Sequence, residues 1–210
     1  IIIVFDIFHM CDGLFDAITK AAFQVASIIT TAGFATTDFN LWPQTSRIIL
    51  VLLMFVGACA GSTGGGIKVS RFIIALKAVG REVYTYIHPK SIKKVIVEKK
   101  EVEEEIIHSV TIYFITFITI FVASIFLISL EEKDLVTTFT SVATTLNNVG
   151  PGLELVGPTQ NFSHFSNFSK WVFMFDMLAG RLELFPLLIL FHHVIWKDIF
   201  YHISKNKKNK

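Results

Sequence analysis

The amino-acid sequence predicts an all-α integral membrane protein made of repeated membrane helix–pore helix–membrane helix units with re-entrant loops. Hydrophobic residues make up 52% of the chain and the mean hydropathy is +0.59, whereas soluble domains typically reach ~45–50% even when Gly is counted. The 23 residues from His108 to Leu130 contain no Asp, Glu, Lys or Arg, and about 20 apolar residues are enough to span a bilayer. Two glycine-bearing turns, at 30–34 and 147–152, each follow an apolar segment too short to cross.

The first half of the chain predicts one such unit. Residues 1–10 reach only about 15 Å as a helix, and because no signal-peptide pattern is present we expect them to end an earlier membrane segment of a longer protein. A half-length apolar helix from Phe15 to Ile29 leads into the first turn and is expected to re-enter rather than cross. The next apolar helix is predicted over Ile48–Ala60, is broken at residues 61–66, and resumes as a basic segment over Ile67–Arg81.

The second half repeats this plan after a charged connector. We expect the acidic run Glu101–Glu105 of the connector to be a solvated helix face. In the apolar span from His108 to Leu130, we expect the Ser and Thr hydroxyls to bond back to carbonyls of their own helix. The later elements are a membrane helix, a half-length helix, an outer loop and a last helix, over His108–Leu130, Asp134–Leu146, Leu153–Ser169 and Lys170–Trp196.

Residues 27–33 and 144–150 align so that polar, small apolar and glycine positions coincide, which is typical of duplicated membrane units. The predicted division is therefore a first unit over 1–81, a connector over 82–107, a second unit over 108–196 and a basic tail over 197–210.

The distribution of charge predicts the orientation in the membrane. Basic residues concentrate between Lys68 and Lys100 and again from Lys197 onward, and such clusters remain on the cytoplasmic side. We therefore expect a multi-pass protein of the cell membrane, with 82–107 and the C-terminus cytoplasmic and both turns external. Nucleic acid is not an expected partner because the basic clusters flank membrane spans and lack interleaved aromatic residues.

The two turns are candidate cation sites formed by backbone carbonyls. A glycine peptide can aim its oxygen at a central axis, and the C-terminal end of a half-length helix carries partial negative charge toward a cation. An ordinary loop between membrane helices is the alternative. The candidate filter residues are Thr31, Ala32, Gly33 and Phe34 in the first turn, and Asn148, Val149, Gly150 and Pro151 in the second.

The glycine run at 61–66 is interpreted as a flexible gate. Glycines that interrupt a membrane helix leave backbone groups that lipid cannot satisfy, so the run is expected to line a water-filled cavity. A phosphate-binding loop is disfavoured because Ile67 separates Gly66 from Lys68, where a Walker motif needs adjacency. The candidate gate comprises Gly61, Ser62, Thr63, Gly64, Gly65 and Gly66.

Several single residues have a functional and a structural interpretation. Arg181 lies on the last apolar helix, turned away from Asp176 and Glu183, and it either places a positive charge in the pore or bonds to neighbouring carbonyls. Asp176 and Glu183 are expected to be structural. Three acidic residues could concentrate cations at the outer mouth: Asp38, Asp134 and Glu154. Capping of a helix N-terminus explains Asp134 at least as well. The two cysteines, Cys11 and Cys59, are expected to pack internally.

At these residues the chain resembles the Trk/Ktr/HKT superfamily of potassium transporters, and within it the TrkH/TrkG-type membrane subunits. The matching segments are SIITTAGFATTDF at 27–39, MFVGACAGSTGGGIKVSR at 54–71, TLNNVGPG at 145–152 and GRLELF at 180–185. The resemblance implies four membrane–pore–membrane repeats around one pore, with this chain supplying repeats three and four. It further implies that Gly33 and Gly150 are filter glycines, that residues 57–67 form an intramembrane gating loop, and that Arg181 faces the pore.

The resemblance also implies partners and a mechanism. Family members are homodimers with a cytoplasmic nucleotide-binding TrkA-type regulatory protein, and the missing repeats would come from an N-terminal part or from a second copy of the chain. Membrane lipid is the surrounding medium. The expected function is potassium uptake, by symport or passively, without enzymatic chemistry and without a cofactor other than the transported K⁺. The alternative is a truncated, non-conducting remnant or a regulatory partner of a transporter.

Overall fold

The computed structural model describes residues 1–57, 59, 61–62, 64–89, 94–97 and 100–181. These residues are mostly helical, with one hairpin of two short strands. The α-helices are α1 (Ile2–Ile7), α2 (Leu14–Ile29), α3 (Gln44–Phe55), α4 (Val69–Ile87), α5 (Glu104–Ser129), α6 (Leu135–Leu146) and α7 (Asn167–Arg181), and the strands are β1 (Ile96–Val97) and β2 (Lys100–Glu101).

The first three helices form one packed group at the start of the chain. Helix α1 packs on α2 and α3, and its Asp6 carboxylate accepts hydrogen bonds from the backbone N–H of Ser46 at 3.1 Å and from the Ser46 hydroxyl at 2.6 Å. Asp6 thereby satisfies a donor at the N-terminus of α3 that the helix itself cannot pair. The core of this group contains Ile7, Ile28 and Leu50, and it also includes Val149 of the second turn.

Helix α3 ends at Phe55, so the predicted helix to Ala60 is wrong. The chain leaves the helix because the Gly57 N–H donates to the Ile67 carbonyl at 2.9 Å and the Ile67 N–H donates to the Phe55 carbonyl at 3.2 Å. These bonds close a loop over 57–67 at its neck. Helix α4 then begins at Val69 and continues to Ile87, six residues beyond the predicted end at Arg81.

The acidic run at 101–105 is only partly helical, whereas the sequence predicted a solvated helix face. Glu101 lies in β2, paired with Ile96 of β1, and the helical part of the acidic run starts only at Glu104. Arg81, just before the connector, contacts the carboxylates of Glu82 and Glu104 within it, and so joins α4 to the start of α5.

Helix α5 covers the predicted span and extends it toward the connector. Among the described residues it is the one helix long and apolar enough to cross a membrane. Only 22% of its most apolar 18-residue stretch is buried inside the protein. The Thr111 and Thr119 hydroxyls donate to carbonyls one turn back, at 3.0 and 2.8 Å, which confirms the predicted bonding. On the face of α5 that packs against the protein, the guanidinium of Arg71 lies over the ring of Tyr113, 4.0 Å from its centroid.

The half-length helix α6 lies at the centre of the second group. It contacts α3, α5 and α7, and nine of its twelve residues are buried. Asp134 caps its N-terminus, so the capping interpretation of Asp134 is confirmed. Helix α7 begins at Asn167 rather than at the predicted Lys170; the remainder of the predicted last helix and the tail, 182–210, lie outside the described residues.

The cysteine prediction is correct only in part. Both cysteines are free, and Cys11 is half-buried beside the first core, whereas Cys59 is exposed. Cys59 lies in the 57–67 loop, which the apolar pattern assigned to a helix as far as Ala60 and the family resemblance assigned to a loop.

Candidate ion-conduction site

The first glycine turn is a helix C-terminus closed by three backbone hydrogen bonds. After α2, the Thr30, Thr31 and Ala32 N–H groups donate to the carbonyls of Ala26, Ile28 and Ser27, at 3.0, 3.1 and 2.9 Å. Thr31 has φ of 54° and Gly33 has φ of 76°. This is a Schellman-type ending, and it places a β-branched residue in the left-handed region, where such residues are rare.

The second turn has the same backbone at the positions that the sequence alignment pairs with the first. The Asn147, Asn148 and Val149 N–H groups donate to the carbonyls of Ala143, Thr145 and Thr144, at 3.2, 3.1 and 2.9 Å. Asn148 has φ of 55° and Gly150 has φ of 111°. Each turn therefore reverses the chain immediately after a half-length helix.

The two turns lie directly against each other through their glycines. A Cβ on Gly33 would overlap the Val149 carbonyl oxygen, and a Cβ on Gly150 would lie 3.5 Å from the Gly33 Cα. The residues Thr31 to Gly33 and Asn148 to Gly150 thus form one continuous backbone surface. The carbonyl of Phe34, also a candidate filter residue, accepts a hydrogen bond from the Ser27 hydroxyl at 2.6 Å.

Glycines from three different segments pack against the backbone oxygens around the second turn. A Cβ on Gly180 of α7 would overlap the Leu146 oxygen, one on Gly65 would overlap the Asn147 oxygen, and one on Gly33 would overlap the Val149 oxygen. These glycines allow close approach of two backbones, a use of glycine that sequence reasoning missed for Gly65 and Gly180. Gly180 belongs to the GRLELF segment that carried the family resemblance. Its close approach could not be predicted, because the Leu146 oxygen that it packs against is distant in sequence.

The glycine run contacts both turns. The Gly65 N–H donates to the Thr31 hydroxyl at 3.2 Å, while Gly65 also lies against Asn147. At the neck of the loop, a Cβ on Gly57 would meet the Gly66 carbonyl carbon at 2.9 Å. Gly61 is exposed with φ of 84°, Ser62 and Gly64 are half-buried, and Thr63 lies outside the described residues.

A cavity of ≈ 520 Å³ lies beside the two turns. Its polar lining includes Thr144, whose buried hydroxyl has no partner among the described residues, and Lys170, whose ammonium group donates to the Ser163 carbonyl at 3.2 Å. Beyond Lys170, the residues of α7 that line it are apolar. The lining residues are Thr31, Ala32, Gly33, Thr144, Thr145, Asn148, Val149, Gly150, Phe162, Lys170, Phe173, Met174 and Met177.

The charged residues of α7 have different surroundings. Asp176 is fully buried and its Oδ1 accepts a hydrogen bond from the Ser124 hydroxyl at 2.7 Å, which fits the structural role predicted for it. Arg181 is exposed at the last described position of the helix. Glu183 lies outside the described residues.

The candidate outer acids are engaged in contacts within the protein. Asp134 accepts from the Thr137 N–H at 2.9 Å, Asp38 accepts from the Asn40 N–H at 3.0 Å, and the Glu154 carboxylate contacts Arg47 at 2.9 Å. Sequence reasoning gave no role to Asn40 or Arg47, whose partners lie more than a hundred residues away.

The described residues form a helical protein with one helix long enough to cross a membrane and two half-length helices that end in apposed glycine turns. Residues 13–202 match the family model described as "TrkH: Cation transport protein". The chain belongs to this family, which confirms the resemblance found in the sequence and groups it with transport proteins rather than enzymes.

Named relatives agree with this assignment. The chain is 37% identical over 192 residues to the Trk system potassium uptake protein TrkH of Salmonella typhimurium, covering 91% of this chain and 39% of the relative. It is 32% identical over 201 residues to TrkG of Escherichia coli, covering 94% and 41%.

The crystal structure of the potassium transporter TrkH from Vibrio parahaemolyticus superposes with a TM-score of 0.84 at 36% identity, over 93% of this chain and 42% of that chain. The chain thus spans about two-fifths of the length of the relatives it matches.

Proposed function

We propose that this chain forms part of a membrane pore for potassium uptake, in which the two glycine turns supply backbone carbonyls of the selectivity filter. The observation that carries the proposal is the apposition of two turns with the same backbone at Gly33 and Gly150. Each turn ends a half-length helix, whose C-terminal carbonyls stabilise a cation, and rings of such carbonyls replace the hydration shell of K⁺. The filter residues would be Thr31–Phe34 and Asn148–Pro151.

Potassium is the proposed substrate because the relatives are named as potassium uptake proteins. The proposed division keeps 1–81 and 108–196 as two membrane–pore–membrane units, joined by the connector 82–107 and followed by the tail 197–210. The proposed orientation places the turns outside the cell, with the connector and tail in the cytoplasm.

The glycine run at 61–66 is proposed as the gate. Its contacts support this role, since Gly65 bonds to the Thr31 hydroxyl and lies against Asn147, so a movement of the loop changes the environment of both turns. The charge of Arg181 is proposed to act on cations in the pore from the end of α7.

Two turns supply half of a fourfold filter, so the pore needs further repeats. We propose that an N-terminal part or a second copy provides them, and that the complete subunit is a homodimer regulated by a cytoplasmic TrkA-type protein.

A chimera tests the function directly. The 192 aligned residues of the Salmonella typhimurium TrkH are replaced by those of this chain, and the chimera is produced in a bacterial strain without potassium uptake. We expect restored growth at limiting K⁺ and uptake of Rb⁺ in preference to Na⁺. Gly150→Val should abolish both, whereas Gly80→Ala, with nothing within 4 Å of the added Cβ, should leave both intact.

A chimera present in the membrane in normal amount that fails to take up Rb⁺ would overturn the proposal and favour the non-conducting remnant. Rb⁺ uptake by proteoliposomes containing this chain alone would identify a second copy as the source of the missing repeats. Absence of uptake by the well-folded chain, combined with an active chimera, would identify the N-terminal part.

A further inference from the structure

We propose that Asn40 is a positioning residue that fixes the spacing of the two glycine turns by clamping the backbone of Glu154. The inference rests on the proposed function, since its consequence is ion selectivity, but the clamp itself can be tested without ion flux.

The clamp is a two-point hydrogen bond across the two halves of the chain. The Asn40 Nδ2 donates to the Glu154 carbonyl at 3.2 Å, and the Glu154 N–H donates to the Asn40 Oδ1 at 2.9 Å. One side-chain amide thus pairs both backbone polar groups of a single residue 114 positions away. Two hydrogen bonds from one planar amide fix orientation as well as distance, because each has a preferred direction.

The Asn40 side chain is attached to a rigid segment. Its backbone N–H donates to the Asp38 Oδ1 at 3.0 Å, closing an Asx turn, and the adjacent Phe39 is fully buried in the first core. Asn40 lies seven residues beyond Gly33, so this segment connects the first turn to the clamp.

Glu154 is held just as firmly on the other side. The neighbouring Leu153 N–H donates to the Thr140 hydroxyl at 3.1 Å, and the Leu155 N–H donates to the Thr137 hydroxyl at 3.3 Å. Both threonines belong to α6, the helix that ends in the second turn. The peptide that Asn40 binds is therefore fixed to the second half-length helix.

The local backbone is shaped to admit the amide. Glu154 has φ of 53°, in the left-handed region that a non-glycine residue rarely adopts, and a Cβ on Gly157 would overlap the Asn40 Nδ2. A strained residue and a glycine at one contact indicate that the surrounding structure enforces this contact.

The ion pair beside the clamp provides a matched control. Arg47 and Glu154 are partly exposed, at 27% and 47% of their side-chain surface, and exposed pairs contribute little. Because Asn40 binds the backbone of Glu154, Glu154→Gln removes this ion pair and leaves the clamp unchanged.

The clamp affects selectivity because the filter distinguishes ions by the positions of its carbonyls. Without the clamp, the segments that follow the two turns keep the hydrogen bond from the Thr159 hydroxyl to the Asp38 carboxylate at 3.3 Å and the partly exposed ion pair beside the clamp. The spacing of the turns is then held less tightly. Asn40→Leu removes both hydrogen bonds while keeping a similar side-chain shape, and Asn40→Ala removes the side chain.

The first test measures Rb⁺ and Na⁺ uptake by the chimera described above. In both Asn40 variants we expect the Rb⁺/Na⁺ ratio to fall by roughly three- to tenfold, the factor that one net hydrogen bond supports, while Rb⁺ uptake persists. Arg47→Gln, which removes the same ion pair at a residue outside the candidate cation sites, should keep the ratio of the unsubstituted chimera. An unchanged ratio in Asn40→Leu would overturn the selectivity role.

The second test needs no flux. Spin labels at Leu41 and Leu155, both exposed, are introduced into the full chain in lipid after Cys11→Ser and Cys59→Ser. The distribution of distances between the labels should broaden in Asn40→Ala and Asn40→Leu, and not in Glu154→Gln. An unchanged distribution overturns the clamp. A broadened distribution in the labelled chain, together with no Rb⁺ uptake by the unsubstituted chimera, supports the clamp and rejects the proposed function.

Discussion

The two half-length helices end in the same backbone but lie in different surroundings. In α6, nine of twelve residues are buried, whereas in α2 the buried residues are five of sixteen. Helix α6 starts at the side-chain cap Asp134, whereas α2 follows Gly13 without a side-chain cap hydrogen bond. The shared turn is therefore determined by its local hydrogen bonds, and the packing around each helix is not needed to explain it.

The difference between the turns lies in their side chains. At the matched left-handed position, Thr31 accepts a hydrogen bond from Gly65 of the glycine run, whereas Asn148 donates from Nδ2 to the Met177 carbonyl of α7 at 3.1 Å. Through these side chains the first turn is hydrogen-bonded to the candidate gate and the second to α7, although Gly65 also lies against Asn147 of the second turn. If the gate acts on the filter, its hydrogen bond goes to the first turn.

The largest effect is expected where the two turns touch. Alanine at either glycine must adopt a positive φ, which costs about 1–2 kcal/mol, but only at Gly33 does the added Cβ also overlap a carbonyl oxygen, that of Val149. At Gly150 the nearest atom is 3.5 Å away. We therefore expect Gly33→Ala to abolish Rb⁺ uptake by the chimera and Gly150→Ala to reduce it.

Thermal unfolding of the same variants in detergent should follow the same order. Equal losses at the two positions would mean that backbone conformation alone matters, and that the contact between the turns is not specific.

An intermediate effect is expected from the hydroxyl of Thr31. Thr31→Val keeps the β-branched shape but leaves the Gly65 N–H without its acceptor, a loss of about 1 kcal/mol. Thr30→Val is the matched control, because among the described residues the Thr30 hydroxyl bonds only to its own helix, at 2.7 Å to the Ala26 carbonyl. Thr31→Val should lower the unfolding temperature more than Thr30→Val and change the Rb⁺ uptake rate of the chimera. Equal unfolding temperatures and equal Rb⁺ uptake rates in the two variants would mean that the hydrogen bond between Gly65 and Thr31 does not couple the glycine run to the filter.

Local patterns predicted the half-length helices and both turns, because apolar length and glycine position are properties of short segments. They could not predict that Gly33, Gly65 and Gly180 each pack on a carbonyl around the second turn, since those partners come from distant segments. The end of α3 at Phe55 was missed for the same reason. Val56 to Ala60 is as apolar as the helix before it, and the helix ends there because Gly57 bonds to Ile67, a contact that periodicity does not indicate.

The smallest effect is expected from the cap that distinguishes α6 from α2. Burial alone would raise the pKa of Asp134, but hydrogen bonds from Thr137 and from neighbouring backbone groups outweigh it and lower the pKa below its usual value. A lowered folded-state pKa contributes stability above the unfolded pKa of about 3.9 that is lost as the pH falls through the folded value.

Asp134→Ala should therefore destabilise the protein by about 0.5–2 kcal/mol at neutral pH, whereas Asp134→Asn should retain the cap. Because asparagine does not titrate, the stability difference between the unsubstituted protein and Asp134→Asn should shrink or reverse as the pH falls below about 4. The measurement is thermal unfolding of the three proteins in one detergent between neutral and acidic pH. A pH-independent difference would mean that the Asp134 charge contributes nothing beyond its hydrogen bond. An Asp134→Ala protein as stable as the unsubstituted one would mean that α6, like α2, does not depend on a side-chain cap.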